Sequence, residues 1–335
     1  MSVLRHSKRL AWALPTLLGV LVVVFVLLRV APGDPIAMMI GPGATPDDVL
    51  RLRQRYGLDG SIAQQFAIYL GQAASGNFGQ SITLKRDVFT LIGERLPLTI
   101  ELSLFALSIA VVLGGGSALA AAYFRGTWFE RVLDGATGLV TAIPDFLWGL
   151  AGILVLGVLV PVLPIFGAID SELSFASWTG SVLFESLLRG RFDVFGSAIV
   201  HLLMPAVALA LPLAALIARV LKASLLEAMT QDYVLIARVK GFSPWRVLWC
   251  EALRNALVPT LTLTGVQFTF LIGGTVLIER LFGLPGLGNM AIDAVVNRDL
   301  PLIQGVVLTF AVLFIVTNIV IDLINVRLNP RLRTS

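Results

Sequence analysis

Six apolar runs, each about long enough to cross a bilayer, constrain this chain more than any other feature. They cover Leu10 to Leu28 and about Leu98 to Tyr123, Val132 to Val160, Ala198 to Leu221, Leu257 to Ile278 and Leu302 to Ile324. A spanning helix needs about 20 apolar residues. No water at that depth can satisfy loose backbone groups, so each run must be helical. Soluble domains carry about 25% charged residues; here only 14% are charged and 57% are hydrophobic. The expectation is an all-α polytopic membrane protein with six transmembrane helices.

Arg5, Lys8 and Arg9 precede the first run, a layout shared by signal peptides and first transmembrane helices. Arg29-Val30-Ala31-Pro32 offers no small-x-small cleavage site, which reads as an uncleaved anchor. Six spans put both termini on one side. Basic residues on that side number fourteen, against four opposite once the long 31–97 segment is set aside. Positive residues stay in the cytoplasm, so both termini and the polar interval at 219–259 are expected there. The chain thus divides into 1–30, a cytoplasmic end with the first span; 31–97, a segment with short helices; and 98–335, a core of five spans. Within 31–97, Thr45 and Pro46 start a short helix that Gly57 ends, and a second covers Ile62 to Ala74. Pro144 interrupts the third span and kinks it. Pro205 and Pro212 do the same for the fourth.

Much chemistry is excluded. A Walker-type phosphate loop needs Gly-Lys-Ser/Thr, and none of Lys8, Lys85, Lys222 and Lys240 follows a glycine. One cysteine, Cys250, leaves no internal disulfide or multi-cysteine metal site, and two histidines, His6 and His201, do not make a zinc site. No catalytic, cofactor-binding or metal residue is assigned. Membrane-embedded acids are few: Glu101 just inside the second span, Asp322 near the end of the sixth, and Asp145 in the middle of the third. A carboxylate at the bilayer centre costs roughly 2.5–3.5 kcal/mol, so Asp145 must face protein or water. Two readings stand. Asp145, with Pro144, lines a translocation path and meets a peptide amine; or it is satisfied by backbone groups that Pro144 frees, or lies nearer the surface than these bounds imply.

The interval 219–259 carries six basic residues between two spans. Leu225 to Lys240 reads as a helix with an apolar stripe of Leu225, Leu226, Met229, Tyr233, Ile236 and Ala237, from which Val234, Leu235 and Val239 depart. Gly241 stops it, Ser243 caps a second helix, and Pro244 takes its first turn. Trp245, Leu248, Trp249, Ala252, Leu253 and Ala256 give that second helix its stripe. Such a projection suits a groove on a partner protein, or a hairpin lying on anionic lipid.

Asp232 to Phe242, D-Y-V-L-I-A-R-V-K-G-F, followed by A-L-R-N-A-L-V-P at 252–259, closely resembles the cytoplasmic motif of ABC-importer permeases, in particular the dipeptide/oligopeptide/nickel branch. Further matches run in order along the chain: A-P-G-D-P at 31–35, L-T-I-E-L at 98–102, H-L-L-M-P at 201–205, F-G-L-P-G-L-G at 282–288, R-D-L-P at 298–301 and N-P-R-L-R at 329–333. The resemblance implies the type I ABC importer permease fold in a bacterial inner membrane. It implies a second homologous permease subunit, two ATPase subunits that hold ATP and magnesium, and a periplasmic or extracellular substrate-binding protein. No cofactor belongs to this chain, and no nucleic acid is involved.

The motif's positions match Tyr233, Ala237, Arg238, Lys240 and Gly241, with Phe242 and Pro244 completing the corner. This coupling segment, about 223–256, would dock on an ATPase and drive alternating access. Gly33, Asp34, Pro285, Gly286, Gly288, Arg298 and Asp299 carry the periplasmic signatures. The sequence departs from the pattern where the general motif has Glu-Ala-Ala and this chain has Leu235-Ile236-Ala237, where Ile236 and Val239 replace the frequent Thr and Ala, and where Asn329 replaces Asp in the tail. These leave open which ATPase is accepted. The expected activity is import of short peptides or peptide-like solutes. The alternatives are the same machinery carrying a nickel chelate, or an ion-coupled secondary transporter, which would show inverted repeats or intramembrane acids.

Overall fold

The computed structural model describes residues 60–328 and, before them, Pro15, residues 17–23, 25–26, Asp47 and Leu50. The expected anchor and the helix ending at Gly57 lie largely outside the described residues, and the signatures at Gly33, Asp34 and 329–333 wholly so. The described residues form helices and connections: α1 (Ile62–Ala74), α2 (Val88–Tyr123), α3 (Trp128–Ala142), α4 (Asp145–Gly152), α5 (Val182–Leu188), α6 (Phe192–Ala228), α7 (Asp232–Val239), α8 (Pro244–Leu281), α9 (Leu287–Val296) and α10 (Leu300–Leu328). Four of them, α2, α6, α8 and α10, are long and apolar enough to cross a membrane. The bent pair formed by α3 and the stretch Asp145–Leu159 can supply a fifth span.

The chain separates into two compact units. One comprises Met1–Leu96 and Met290–Ile315; the other comprises Pro97–Asn289 and Val316–Ser335. In the first unit, α1 begins with a capping box: Gln64 N–H donates to Ser61 Oγ and Ser61 N–H to Gln64 Oε1. Its bounds are those the sequence indicates. Phe25 packs on Phe66 and Tyr69, with ring centroids 5.0 and 5.9 Å away.

Three helix boundaries differ from the sequence reading. The second span was expected to begin near Leu98, but α2 starts ten residues earlier, at Val88. Asp87 caps it, accepting from Thr90 N–H at 2.9 Å, and buried Val88, Leu91 and Ile92 hold the added turns. The third span is broken rather than kinked. Its halves are bent by 101°, because Ile143, the residue before a proline, is extended and Pro144 caps α4 instead of continuing α3. The fifth span was expected to begin at Leu257, yet α8 runs unbroken from Pro244 through a π-turn stretch, Val247–Ala252.

The larger unit's core lies between α2, α6 and α8 and is built from small residues. Ala106, Ala110, Ala206, Ala210 and Ala214 are buried with Leu98, Leu102, Leu202 and Ile278. Small residues let helix backbones approach closely where no hydrophobic drive distinguishes protein from lipid. At Gly114 of α2 the approach leaves no room for a side chain: a Cβ would sit 2.5 Å from the Ala214 carbonyl oxygen. At Gly116 a Cβ would meet nothing within 4 Å.

The connection from 165 to 191 folds around Glu185. Its carboxylate accepts from Ser177 Oγ at 2.8 Å, Trp178 N–H at 2.9 Å, the Thr179 hydroxyl and amide, and Arg189 at 2.8 Å. Burial pushes this carboxyl up, but the bonds from Thr179, Trp178 and Ser177 outweigh burial and bring it to about 2 from an ordinary value near 4.5.

Two outcomes are expected. Gly114→Ala should cost about 1–3 kcal/mol by overpacking, while Gly116→Ala should be neutral or up to about 1 kcal/mol stabilising; thermal unfolding of the purified protein compares them. Because the Glu185 carboxyl is depressed on folding, its contribution is complete above pH 4.5 and is lost as pH falls towards about 2. Amide protection of Trp178 and Thr179 should therefore fall across that window in the wild type and stay flat in Glu185→Gln.

Candidate functional site

The interval expected to grip a partner forms a corner, and its course differs from one long helix followed by another. Leu225 to Lys240 is not continuous. At the end of α6, Thr230 turns its hydroxyl back to the Glu227 carbonyl at 2.7 Å, and Gln231 is extended at φ −80° and ψ 152°. Helix α7 restarts at Asp232, whose charge suits a helix N-terminus. The restart changes the phase of the stripe. Val234, expected off the apolar face, is buried with Ala237 and Val247 against Met229, Tyr233 and Phe242. Ile236, expected on it, is exposed.

Gly241 closes α7 at φ +80°. Gly241 N–H donates to the Arg238 carbonyl at 2.9 Å and Phe242 N–H to the Ala237 carbonyl at 3.2 Å. This paired pattern ends a helix with a left-handed residue, which favours glycine. Ser243 Oγ then accepts from Arg246 N–H at 3.4 Å, and Pro244 takes the first position of α8. The Arg246 guanidinium lies 4.2 Å from the Phe242 ring centroid. Trp245 stacks on Trp249 at 5.9 Å and meets Tyr123 of α2 edge-on at 5.6 Å. A cluster of Leu119, Leu221, Leu225, Leu248 and Ala252 seats the corner on α2 and α6.

What the corner presents outward is a mixed face. Leu235, Ile236 and Val239 of α7 are 61, 55 and 81% exposed, beside exposed Arg238 and Lys240. Chemically this face can bury apolar surface and pair with carboxylates; it has no nucleophile.

At the other end of α8 the loop of the F-G-L-P-G-L-G signature wraps a carboxylate that sequence reasoning missed. Glu279 is fully buried. It accepts from Thr99 Oγ1 at 2.7 Å and Asn289 N–H at 3.0 Å, and Leu287 N–H donates to Thr99 Oγ1 at 2.8 Å. A Cβ on Gly286 would lie 2.3 Å from the carboxylate, and one on Gly288 would lie 2.6 Å from the Val276 Cα. Gly286 and Gly288 are therefore buried parts of a clasp, and Pro285 is its exposed tip.

The L-T-I-E-L signature has the same role twice over. Thr99 fastens this loop. Glu101, two residues further along α2, fastens another: it accepts the Val182, Leu183 and Phe184 amides at 3.0, 3.3 and 2.9 Å, together with the Ser181 hydroxyl, and so caps α5. In the smaller unit, Arg298 holds φ +51°. Asp299 is buried and accepts from Ser81 Oγ at 2.6 Å, Thr83 N–H at 2.9 Å and Leu302 N–H at 3.3 Å, capping α10.

Asp145 is not mid-helix. It is the first residue of α4, directly after the break, and it accepts Phe146 N–H at 2.8 Å. With Pro144 it lines an open groove of about 400 Å³ between α6 and α8. Further towards the start of α3, Lys222 pairs with Glu130 and Asp134, each at 2.7 Å, holding α3 to α6.

The chain matches two family descriptions. Residues 91–334 match the binding-protein-dependent transport system inner membrane component, and residues 4–103 match the N-terminal part of such membrane components. It is 37% identical over 328 residues to the di/tripeptide transport system permease protein DppB of Pseudomonas aeruginosa, covering 98% of each chain. It is 33% identical over 331 residues to the dipeptide transport system permease protein DppB of Escherichia coli K12, covering 97% of each. Among solved structures, a chain of the inward-facing MetNI methionine ABC transporter aligns with 71% of this chain and 96% of its own length, at a TM-score of 0.55 and 16% identity, which shows the shared fold. This protein is a multi-pass component of a bacterial inner membrane and not an enzyme, and it belongs to the family of inner-membrane permease components of binding-protein-dependent ABC importers.

Proposed function

We propose that this chain is the permease subunit of an ATP-driven importer of short peptides, working by alternating access. The observation that carries the reading is the corner at 229–256: an exposed apolar and basic face on α7, joined through a fixed turn to the first residue of the longest span. The high identity to proteins named as peptide permeases supports the cargo. Basic residues of the interval and of both termini favour the cytoplasmic side for the corner.

In this reading two ATPase subunits, with their ATP and magnesium, dock on this face and on the equivalent face of a second homologous permease. A binding protein delivers cargo to the opposite side. Leu235, Ile236 and Val239 fill a groove on the ATPase, while Arg238 and Lys240 pair with its acids. Tyr233 and Ala237 brace α7 from within, and Gly241, Phe242 and Pro244 hold the corner. ATP-driven closure of the ATPases draws the two corners together, α8 follows, and the spans open towards the binding protein. Hydrolysis resets them.

Ile236→Asp should insert normally yet reduce ATPase co-purification and uptake of labelled dialanine by about tenfold or more, since an apolar contact is replaced by a charge that must be desolvated. Gly241→Val should abolish uptake with normal insertion, because a β-branched residue at φ +80° costs at least about 1–2 kcal/mol and shifts the turn. Full uptake by stably inserted forms of both would refute the docking role. Loss of uptake on collapse of the ion gradient at constant ATP would refute the ATP-driven mechanism.

A further inference from the structure

Five described acids on the helices of the larger unit divide into two kinds. Glu101 is saturated by three amides and a hydroxyl. Glu279 is closed in by Thr99 and Asn289. Glu130 and Asp134 share Lys222. Asp145 takes the amide of its own neighbour, Phe146, and its carboxylate faces the open groove. Arg219 of α6 donates to the hydroxyl of Thr141, another residue that lines the groove, at 3.3 Å. On α8, Gly274 makes room: a Cβ there would come within 3.0 Å of Asp145 Oδ2.

The groove lies deep. Its lining from α6, Leu209 to Leu216, is at least twelve residues from either end of Phe192–Ala228. Its lining from α8, Gln267 to Leu271, is at least ten residues from Leu281. At 1.5 Å per residue the groove is about 15 Å or more from any end of these helices. A carboxylate between spanning helices, with no ion pair to it among the described residues, is expensive to keep. Around it the walls are apolar, with Gln267 and Thr141 as the other polar side chains. A volume of about 400 Å³ falls within the range of small-ligand sites.

We propose that Asp145 binds the ammonium group of the cargo midway through its passage, so that the permease itself selects solutes with a free amino terminus. The inference rests on the peptide-importer reading and adds a binding site to it. The carboxylate supplies the charge complement, Gln267 meets the peptide group, and the apolar walls accept small side chains. The break at Pro144 is what brings the acid to the groove: in an unbroken helix, Asp145 would follow the α3 axis instead of opening a new one.

The test is uptake of labelled dialanine by the complete importer with its binding protein unchanged, comparing wild type, Asp145→Asn and Asp145→Glu at matched amounts of assembled complex. Asparagine keeps the acceptor for Phe146 N–H, so a purely structural role predicts little change. A role in holding the ammonium group predicts a maximal uptake rate about tenfold lower in Asp145→Asn, with Asp145→Glu retaining at least about half of the wild-type rate. Wild-type uptake in Asp145→Asn would overturn the proposal, and so would equal loss in both variants. Absence of dialanine uptake by the wild-type importer, with the binding protein loaded, would overturn the peptide reading and the inference with it.

Discussion

The Glu279 carboxylate is the interaction on which one whole end of the larger unit depends. It is buried, and the donors around it are neutral: the Thr99 hydroxyl and the amide of Asn289. A buried acid kept in this way needs several donors at close range, because each missing one leaves an unsatisfied acceptor costing about 1–3 kcal/mol. That demand dictates the loop. Two of its amides point inward, Asn289 N–H to Glu279 and Leu287 N–H to Thr99 Oγ1, and the backbone comes too near for side chains at Gly286 and Gly288. Neighbouring pieces then attach to the clasp. Gly167 N–H donates to the Phe282 carbonyl at 3.0 Å, and Gly149 of α4 fits against Leu281 and Phe282.

The same rule accounts for the other breaks in the helices. Where the chain leaves a helix, the freed backbone groups need partners, and at several breaks an acidic side chain supplies them. Glu101 serves the start of α5, and Asp299 serves the start of α10 and the turn at 81–84. Glu185 serves the turn that precedes its own helix. These acids are fasteners, and their charge is consumed by donors. Lys222 does the equivalent with charge, pinning α3, a helix with no buried residues of its own, to α6. Against that background Asp145 differs in kind, since fastening uses one of its oxygens and the groove is left with the other.

Features set by a few adjacent residues were legible in the sequence. The apolar runs, the Ile62–Ala74 helix and the Gly241–Pro244 corner each follow from local propensity or from backbone angles that one residue type favours. Long-range effects were not. Nothing near Leu98 signals that Asp87, Val88 and Leu91 extend the helix past Pro97, because the support comes from burial. Val234 looked misplaced on a stripe phased from Leu225, and only the break at Thr230–Gln231 puts it inside. Glu101 and Glu279 find their partners 80 and 180 residues away. The sole hint was compositional: an acid and a threonine set two apart in L-T-I-E-L, in a run otherwise apolar. Asp145 was visible as an anomaly, but its place at a helix start depends on how sharply Pro144 divides the span.

Continuity of α8 gives these parts a common mechanical frame. From Pro244 to Leu281 it has 38 residues, about 57 Å of helix, with the corner at one end and the Glu279 clasp at the other. Its irregularities, the π-turn stretch Val247–Ala252 and Pro259, fall in the half next to the corner. The far half is held by α6, by α4 and by the clasp. Bending is therefore easiest near the corner, where an intrahelical bond is missing at Pro259, while the far half is fixed to the loop it carries. Gly274, the residue of α8 closest to Asp145, belongs to that half. In the proposed cycle, a displacement imposed at the corner would reach the Asp145 groove through α8, whose Gly274 forms the wall beside the acid.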